Sequence, residues 1–219
     1  MKIPAQKGFY VVGEGNDGTG KSTQIDLLAE YLKKEYDLEV YVKHEPDGSP
    51  IAKEIRDVIK NGELERYPVT NLLLFTACRH ETWYRETLPV LERGGIVLSA
   101  RSSISTEIYQ GIAEGLGVDY VRQVTQAFMD DRYMNPDLTV VFQLDDAIRR
   151  KLIKNRGKLE KPDTFESKGR GFQTKLNEGY AEIAKERGYP VIDAGRTIEQ
   201  VQEEFRKLVI QGIISKGLA

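Results

Sequence analysis

The stretch Phe9-Tyr10-Val11-Val12-Gly13-Glu14-Gly15-Asn16-Asp17-Gly18-Thr19-Gly20-Lys21-Ser22 decides the fold. Its first four residues form a continuous apolar run, which is typical of a strand buried on both faces of a sheet. Residues 15–22 fit the pattern G-x-x-x-x-G-K-[ST] without a mismatch, and a helical pattern begins near Ser22. A strand, a glycine-rich loop and a helix in this order are the context of a phosphate-binding loop. The sequence therefore predicts an α/β fold that binds a nucleoside triphosphate.

The residue types in this loop suit the binding of phosphate. Glycines allow positive φ and bring backbone N–H groups onto phosphate oxygens, and the helix N-terminus adds unpaired donors. We expect Lys21 to reach the β- and γ-phosphates and the Ser22 hydroxyl to ligate Mg²⁺. Asp17 is unusual there, because phosphates repel a carboxylate; it either binds Mg²⁺ indirectly, faces a second substrate, or serves only in the turn. The residues predicted to bind ATP are Gly15, Asn16, Gly18, Thr19, Gly20, Lys21, Ser22 and Thr23, and those predicted to bind the metal are Ser22 and Asp17.

The remainder of the chain alternates between short apolar runs and segments of helical period. Further strands are predicted at Glu39 to Val42, Ile96 to Leu98, Thr139 to Phe142 and Pro190 to Ile192. Two apolar stripes indicate amphipathic helices; their residues are Ile25, Leu28, Ala29 and Leu32, then Ile198, Val201, Phe205, Leu208 and Val209. This alternation predicts one α/β domain over residues 1–219, with a parallel sheet and right-handed crossovers.

Composition excludes several other classes of protein. The chain has 219 residues, 40% of them apolar and 30% charged, and a net charge of -2. The charge balance predicts no strong attraction to nucleic acid or to an anionic membrane. Nowhere do about 18 apolar residues follow one another, and residues 1–8 lack a signal-peptide stretch, so we expect no membrane span and no secretion. Cys78 is the one cysteine, which excludes an intramolecular disulfide and favours a reducing compartment, the cytoplasm.

A basic segment follows the predicted fourth strand. Between Arg149 and Lys175 there are ten basic and three acidic residues, and residues 156–171 are rich in glycine. We expect a basic loop, at about 155–171, between two helices. It is either a solvated surface loop or a lid that closes over bound phosphates.

The absence of two other motifs narrows the enzyme class. The chain has no guanine-recognising Asn-Lys-x-Asp segment, and no acidic residue follows the strand Ile96 to Leu98, as a Walker-B strand requires. A chain of this size with a phosphate loop and a late basic loop is therefore predicted to be a nucleotide or nucleoside kinase, in which catalysis is mostly positioning and charge neutralisation.

Six segments, in a fixed order, carry a more specific resemblance. They are residues 12–23, His44-Glu45-Pro46-Asp47-Gly48-Ser49-Pro50, Leu73-Leu74-Phe75-Thr76-Ala77-Cys78-Arg79, Arg101 with Ser105-Thr106-Glu107-Ile108-Tyr109-Gln110-Gly111, Asn135-Pro136-Asp137-Leu138-Thr139, and Arg156-Gly157-Lys158-Leu159-Glu160-Lys161. Together they resemble the thymidylate (dTMP) kinase family, from Phe9 to about Phe205. The resemblance implies a five-stranded parallel sheet flanked by helices, and transfer of the γ-phosphoryl of ATP to dTMP with Mg²⁺.

The resemblance also implies how dTMP is bound. Asp17 would accept a hydrogen bond from the sugar 3′-hydroxyl, and Arg101 would hold the dTMP phosphate. Phe75 would stack on thymine and Arg79 would donate to it, unless Phe75 is simply core and Arg79 a surface ion pair. Tyr109 would pack under the deoxyribose, where a 2′-hydroxyl would crowd it. The other residues implied to line this pocket are Pro46, Ser105, Thr106 and Gln110.

The catalytic cations implied by the resemblance are Lys21, Arg101, Arg156 and Lys161. Arg156 and Lys161 belong to the predicted lid and would act jointly, because Gly18 stands where some family members place an arginine in the phosphate loop. The family usually forms homodimers, and Leu72 to Leu74 could provide the face.

The chain departs from the family pattern at four positions. Ala100 replaces the acid before Arg101, His44 replaces an arginine, Asp47 a glycine and Cys78 an acid. The change at Ala100 is the serious one, because alanine cannot bind a metal; either Asp17 or Glu45 takes over, or turnover is lost. The alternatives are therefore a kinase for another deoxynucleoside monophosphate, such as dUMP, and a nucleotide-binding module with little or no catalysis.

Overall fold

The sheet occupies the centre of the molecule. A computed structural model describes residues 7–36, 38–155, 164–165 and 168–218. In these residues one five-stranded parallel sheet has the strand order β2-β3-β1-β4-β5. The strands are β1 (Phe9–Glu14), β2 (Val40–His44), β3 (Ile96–Ala100), β4 (Leu138–Gln143) and β5 (Val191–Asp193). All five runs predicted from apolar composition overlap these strands, so the predicted sheet is confirmed.

Helices connect the strands and cover both faces of the sheet. They are α1 (Lys21–Tyr36), α2 (Pro50–Lys60), α3 (Pro68–Thr82), α4 (Leu88–Glu92), α5 (Ser103–Thr106), α6 (Val118–Gln126), α7 (Asp131–Met134), α8 (Asp146–Asn155), α9 (Arg170–Arg187) and α10 (Ile198–Ser215). Two π-helical segments, Trp83–Thr87 and Glu107–Ala113, continue α3 and α5. No helix in the described part of the chain is long and apolar enough to cross a bilayer.

The strand register brings three strand ends together. Gly13 of β1 lies opposite Ala100 of β3, and Ala100 lies opposite His44 of β2. Because the strands are parallel, the loops after β1, β2 and β3 all leave the sheet at one edge. In open α/β sheets, ligands bind in the crevice at this edge.

Alternation along β1 divides the core between the two faces of the sheet. Phe9 and Val11 pack with α1 and α10, whereas Tyr10 and Val12 pack around Trp83. A third apolar cluster lies where the second π-helical segment meets α9. The phosphate loop and the helices after β3 are thus each anchored to a packed apolar cluster.

The predicted helical stripes are confirmed with one exception. Ile25, Leu28, Ala29 and Leu32 are all buried on α1, and Val201, Phe205 and Val209 are buried on α10. Leu208 is partly buried against the same core, whereas Ile198, the first residue of α10, is exposed. Residues 156–163 and 166–167 of the predicted lid lie outside the described residues, while Arg170 and Gly171, expected in the loop, begin α9.

The contact between Phe205 and Phe142 tests how α10 is held on the sheet. Their rings meet edge to face, 5.1 Å apart, and Phe205 is fully buried. We expect Phe205→Ala to lower the free energy of unfolding by about 3–5 kcal/mol, because it leaves a cavity. Urea unfolding measures this; Ile214→Ala, at an exposed position of α10, is the control and should change little. Equal effects from the two variants would contradict the assigned core.

Candidate active site

A cavity of about 240 Å³ opens at the edge of the sheet where β1, β2 and β3 end. The residues predicted to bind dTMP all line it: Asp17, Pro46, Phe75, Arg79, Arg101, Ser105, Thr106, Tyr109 and Gln110. Lys21 and Ser22 of the phosphate loop line it too. The structure therefore brings the candidate phosphate and substrate residues to one place. Arg156 and Lys161 lie outside the described residues.

The phosphate loop is built on glycines that no other residue could replace without strain. Gly15 has φ +145°, and a Cβ there would lie 2.4 Å from the carbonyl oxygen of Phe142. Two side chains turn back onto the loop: the Thr19 hydroxyl and Lys21 Nζ donate to the Asn16 carbonyl, at 3.0 and 3.2 Å. Asn16 Nδ2 in turn donates to Asn177 Oδ1 of α9 at 2.8 Å. These contacts within the chain hold the loop in shape.

Asp17 joins the phosphate loop to the cavity wall. Its carboxylate accepts hydrogen bonds from the Arg101 guanidinium and, at 3.0 Å, from the Tyr109 hydroxyl. Lys21 Nζ lies 3.9 Å from the same carboxylate. Burial alone would raise the pKa of Asp17, but the charges of Arg101 and Lys21 outweigh burial and hold the pKa well below its usual range. Asp17 therefore stays ionised and fixes the guanidinium of Arg101.

Arg101 has a backbone conformation that side chains rarely adopt. Its φ is +79°, in the left-handed region, which costs about 1–2 kcal/mol for a residue with a Cβ. Hydrogen bonds hold the conformation: Arg101 N donates to the Gly13 carbonyl at 2.9 Å, and the Ser99 hydroxyl donates to the Arg101 carbonyl at 2.7 Å. Arg101 Nη1 also donates to Ser105 Oγ at 2.9 Å. The strained turn directs this cation into the cavity.

Glu14, at the end of β1, holds the turn after Arg101. Its fully buried carboxylate accepts from the Ser102 backbone N–H at 2.7 Å and from the Ser102 hydroxyl at 2.8 Å. The Ser105 hydroxyl donates at 2.7 Å, and the Tyr180 hydroxyl, from α9, at 3.3 Å. A buried carboxylate needs such donors, so Glu14 fastens α5 to the phosphate loop.

Arg79 lines the cavity and is buried, which rules out the surface ion pair considered above. Its Nε donates to Glu45 Oε2 at 2.7 Å and its Nη2 donates to the Ser102 carbonyl at 2.9 Å, while Nη1 donates to the Thr106 hydroxyl. The guanidinium carbon lies 5.2 Å from the centre of the Phe75 ring. Phe75 and Arg79, four residues apart on α3, thus share one face, as their spacing predicts.

Lys43 completes the ion pair behind Arg79. Its Nζ lies 2.8 Å from Glu45 Oε1 and about equally far, 5.5–6.0 Å, from the rings of Tyr10, Trp83 and Tyr133. Burial by itself raises the pKa of Glu45, but Lys43 and Arg79 together lower the pKa below its usual range. Glu45 is therefore an ionised carboxylate bound by two cations, and its oxygens face them rather than a metal.

The described residues fit a Mg²⁺ ion through the hydroxyl of Ser22. Asp17 and Glu45, the candidates to replace the acid absent at Ala100, direct their carboxylates at Arg101, Lys43 and Arg79. No cluster of three or more His, Cys, Asp or Glu side chains suits a metal within the described ranges. The exposed Ser22 hydroxyl remains, and Mg²⁺ in kinase sites is held mostly by water and substrate phosphates. A single hydroxyl therefore fits the ion's needs.

Several residues of the site were not predicted from the sequence. Arg56, Lys60 and Phe165 line the cavity, and Arg149 of α8 donates from Nη1 to the Asp17 carbonyl at 3.4 Å. The sequence offered only weak signals for such residues. Glu14 and Lys43, for example, are charged residues in apolar strands, and this pattern predicts a buried charge but not its partner. Arg56 lies four residues before Lys60, which places both on one face of α2.

A parallel sheet with a phosphate loop after its central strand, and a cavity beside that loop lined by arginines and aromatic rings, defines a phosphate-loop nucleotide kinase. The thymidylate kinase family model matches residues 14–205. Thymidylate kinase of Symbiobacterium thermophilum is 37% identical over 203 residues, or 91% of this chain and 92% of that protein. Thymidylate kinase of Chlamydia caviae is 35% identical over 88% of this chain and 92% of its own length.

The fold comparison agrees with the sequence comparisons. The crystal structure of thymidylate kinase from Ehrlichia chaffeensis superposes with a TM-score of 0.72 at 26% identity, covering 93% of this chain and 98% of that one. The chain belongs to the thymidylate kinase family.

The ion pair of Glu45 predicts how stability depends on pH. The pKa of Glu45 is lower in the folded protein than its unfolded value of about 4.3, so its ionisation stabilises the fold above that pH, and this stabilisation is lost as the pH falls through the folded pKa. We expect Glu45→Gln to cost about 3 kcal/mol at pH 7, because Lys43 and Arg79 lose a buried partner. Urea unfolding from pH 7 to pH 3 should show the gap between variant and wild type closing.

The matched control is Glu203→Gln, in the exposed pair of Glu203 with Lys207. We expect this variant to unfold as the wild type does at every pH. A gap for Glu45→Gln that does not depend on pH would contradict the ionised pair.

Proposed function

We propose that this chain transfers the γ-phosphoryl group of ATP to dTMP, giving ADP and dTDP. The observation that carries the proposal is the single cavity in which the phosphate-loop residues Lys21 and Ser22 meet Arg101 and the buried base-end residues Arg79 and Gln110. Membership of the thymidylate kinase family supports the same substrate.

At the phosphate end, catalysis is positioning and neutralisation of charge. An oxygen of the dTMP phosphate attacks the γ-phosphorus while the bond to the ADP oxygen breaks. Lys21 binds the transferred group from the loop side, and Arg101, directed by Asp17, binds the acceptor phosphate. Mg²⁺, held by Ser22 and the ATP phosphates, would neutralise charge on the phosphate oxygens. We propose that Arg156 and Lys161 of the lid, and Arg149 beside the loop, supply the remaining positive charge.

At the sugar, Asp17 and Tyr109 form the floor. The Asp17 carboxylate can accept from the 3′-hydroxyl, because hydrogen bonds from Arg101 and Tyr109 hold it ionised and oriented. The buried Tyr109 ring packs edge-on against Phe165, 5.5 Å away, so it has little freedom to move aside. We propose that this ring excludes a 2′-hydroxyl.

At the base, donors and acceptors suit thymine. A guanidinium has five N–H donors, of which Arg79 uses one each to Glu45, Thr106 and Ser102, so two are left to donate to a base carbonyl. Gln110 Oε1 is buried and has no hydrogen-bond partner among the described residues. A buried acceptor without a partner costs free energy, which the N3–H of thymine or uracil would recover. Pro46 and Phe75 pack against the base.

We further propose that the protein is a cytoplasmic homodimer. Of the three leucines at 72–74, Leu72 is fully buried and only Leu73 is exposed, at 50%. An exposed stripe runs along α3 and its π-helical continuation, and it comprises Val69, Leu73, His80 and Tyr84. Within it, His80 Nδ1 lies 2.9 Å from the Phe128 carbonyl oxygen. An exposed stripe of this kind is typical of an interface. The buried Cys78, the one cysteine, suits a reducing compartment.

An assay of ADP release tests the activity. With ATP and Mg²⁺, we expect turnover with dTMP, and with dUMP at most in addition, but none with dCMP, dGMP or no acceptor. Lys21→Ala should lower kcat by at least about a hundredfold, since it removes a charge from the transferred phosphoryl. Lys207→Ala, at an exposed position of α10, is the control. Unchanged kcat in Lys21→Ala would contradict the role of the loop.

Sedimentation equilibrium tests the dimer. Leu73→Asp should shift the mass from that of two chains to that of one, because it places a carboxylate in the apolar stripe. Ile214→Asp, at a similarly exposed position on α10, should leave the mass unchanged. A wild-type protein with the mass of one chain would contradict the proposal.

A further inference from the structure

The base preference depends on which end of the Gln110 amide faces the cavity. Gln110 is fully buried, and its side chain lines the base end of the cavity. If Oε1 faces the base, the site accepts from N3–H of thymine; if Nε2 faces it, the site donates instead, which suits N3 of cytosine. An amide alone does not determine this orientation, because its two ends are alike in shape.

The orientation follows from the partner of Gln110 on the far side. Gln110 Nε2 lies 3.0 Å from Glu114 Oε2, one helical turn along the chain. An ionised carboxylate only accepts hydrogen bonds, so the NH₂ group of Gln110 must face Glu114 and Oε1 must face the cavity.

Groups of fixed polarity hold Glu114 in turn. Lys168 Nζ, which can only donate, lies 2.7 Å from Glu114 Oε1, and the Glu114 side chain is 5% exposed. Asn71 Nδ2 donates to Glu114 Oε1 at 3.2 Å and to Oε2 at 3.4 Å. Asn71 is itself oriented, because its Oδ1 accepts from Arg66 Nε at 3.0 Å. Arg66 and Lys168, which can only donate, therefore determine the orientation of the Asn71 and Gln110 amides.

We propose that Glu114 is a positioning residue that determines base preference, by holding Gln110 with its acceptor toward the base. This inference rests on the proposed function, since it names what makes the same cavity select a base with an N3–H. Glu114 contributes no atom to the base; it acts through Gln110.

The substitution Glu114→Gln should reverse the orientation of the Gln110 amide. Two donors, Lys168 and Asn71, surround the Oε1 position, so the new amide should place its oxygen there and its nitrogen toward Gln110. Gln110 should then turn its oxygen to residue 114 and its NH₂ group to the cavity. N3 of cytosine would gain a donor, and N3–H of thymine would meet one. Arg79 still disfavours the amino group of cytosine, so we expect selectivity to fall rather than invert.

The test compares dTMP with dCMP, by kcat/KM and by calorimetric Kd without ATP. In Glu114→Gln, the ratio of dTMP to dCMP should fall at least about tenfold, mostly through tighter binding of dCMP and weaker binding of dTMP, with kcat for dTMP changing less than its KM. Glu114→Ala removes the acceptor without adding a donor, so it should give an intermediate ratio. The matched control is Glu107→Gln, a buried carboxylate of the same π-helical segment that pairs with Arg187 instead, and its ratio should match the wild type.

A double-mutant cycle separates positioning from a general effect on the fold. In the Gln110→Ala background, Glu114→Gln should change the ratio no further. An unchanged ratio in both Glu114 variants, or an equal effect with and without Gln110, would overturn the inference. The calorimetric Kd measurements keep the inference distinct from the proposed function. If the wild-type protein bound dTMP more tightly than dCMP but showed no turnover, the kinase would be refuted, while the Kd values of the variants would still test the role of Glu114.

Discussion

A buried charge must be compensated, and this constraint shapes the whole candidate site. Three carboxylates lie around the edge of the sheet, Glu14 and Glu45 buried and Asp17 partly buried, and each is satisfied by donors from another part of the chain. Since removing one partner of a buried pair costs several kcal/mol, these contacts lock the loops after β1, β2 and β3 to one another. Arg79 and Arg101 are held as partners of these carboxylates, and both line the cavity.

This arrangement prepares the site before any ligand binds. Asp17 holds Arg101, Glu14 holds the turn that gives Arg101 its left-handed backbone, and Glu45 holds Arg79. Phosphoryl transfer depends on cations that are already in place, because reorganising them during the reaction would raise the barrier. Gln110 is held in a similar way, because its Nε2 donates to Glu114 and its Oε1 is left without a partner among the described residues.

The structure also bears on the alanine at position 100. Ala100 ends β3 beside the cavity, opposite Gly13 of β1 on one side and His44 of β2 on the other. Its side chain offers no donor or acceptor. Asp17 and Glu45 do not take over from an acid there, because each is bound to cations. In the proposed function, the Ser22 hydroxyl would be the protein's ligand to Mg²⁺, and phosphates and water would fill the other positions.

The sequence by itself determined the class of fold, the phosphate loop and the family, because these depend on local signals: continuous apolar runs, glycine spacing and motifs of a few residues. It also predicted that Phe75 and Arg79 share one face of a helix, and the structure confirms this. Only the tertiary structure decided which groups satisfy the buried carboxylates, since Glu14 accepts from Ser105 across 91 positions, Glu45 pairs with Arg79 across 34, and Glu114 pairs with Lys168 across 54. Such pairs depend on the register of parallel strands and the packing of helices, which no periodicity in the chain encodes. For the same reason the sequence named Gln110 as a pocket residue, whereas the orientation of its amide follows from neighbours that only folding brings together.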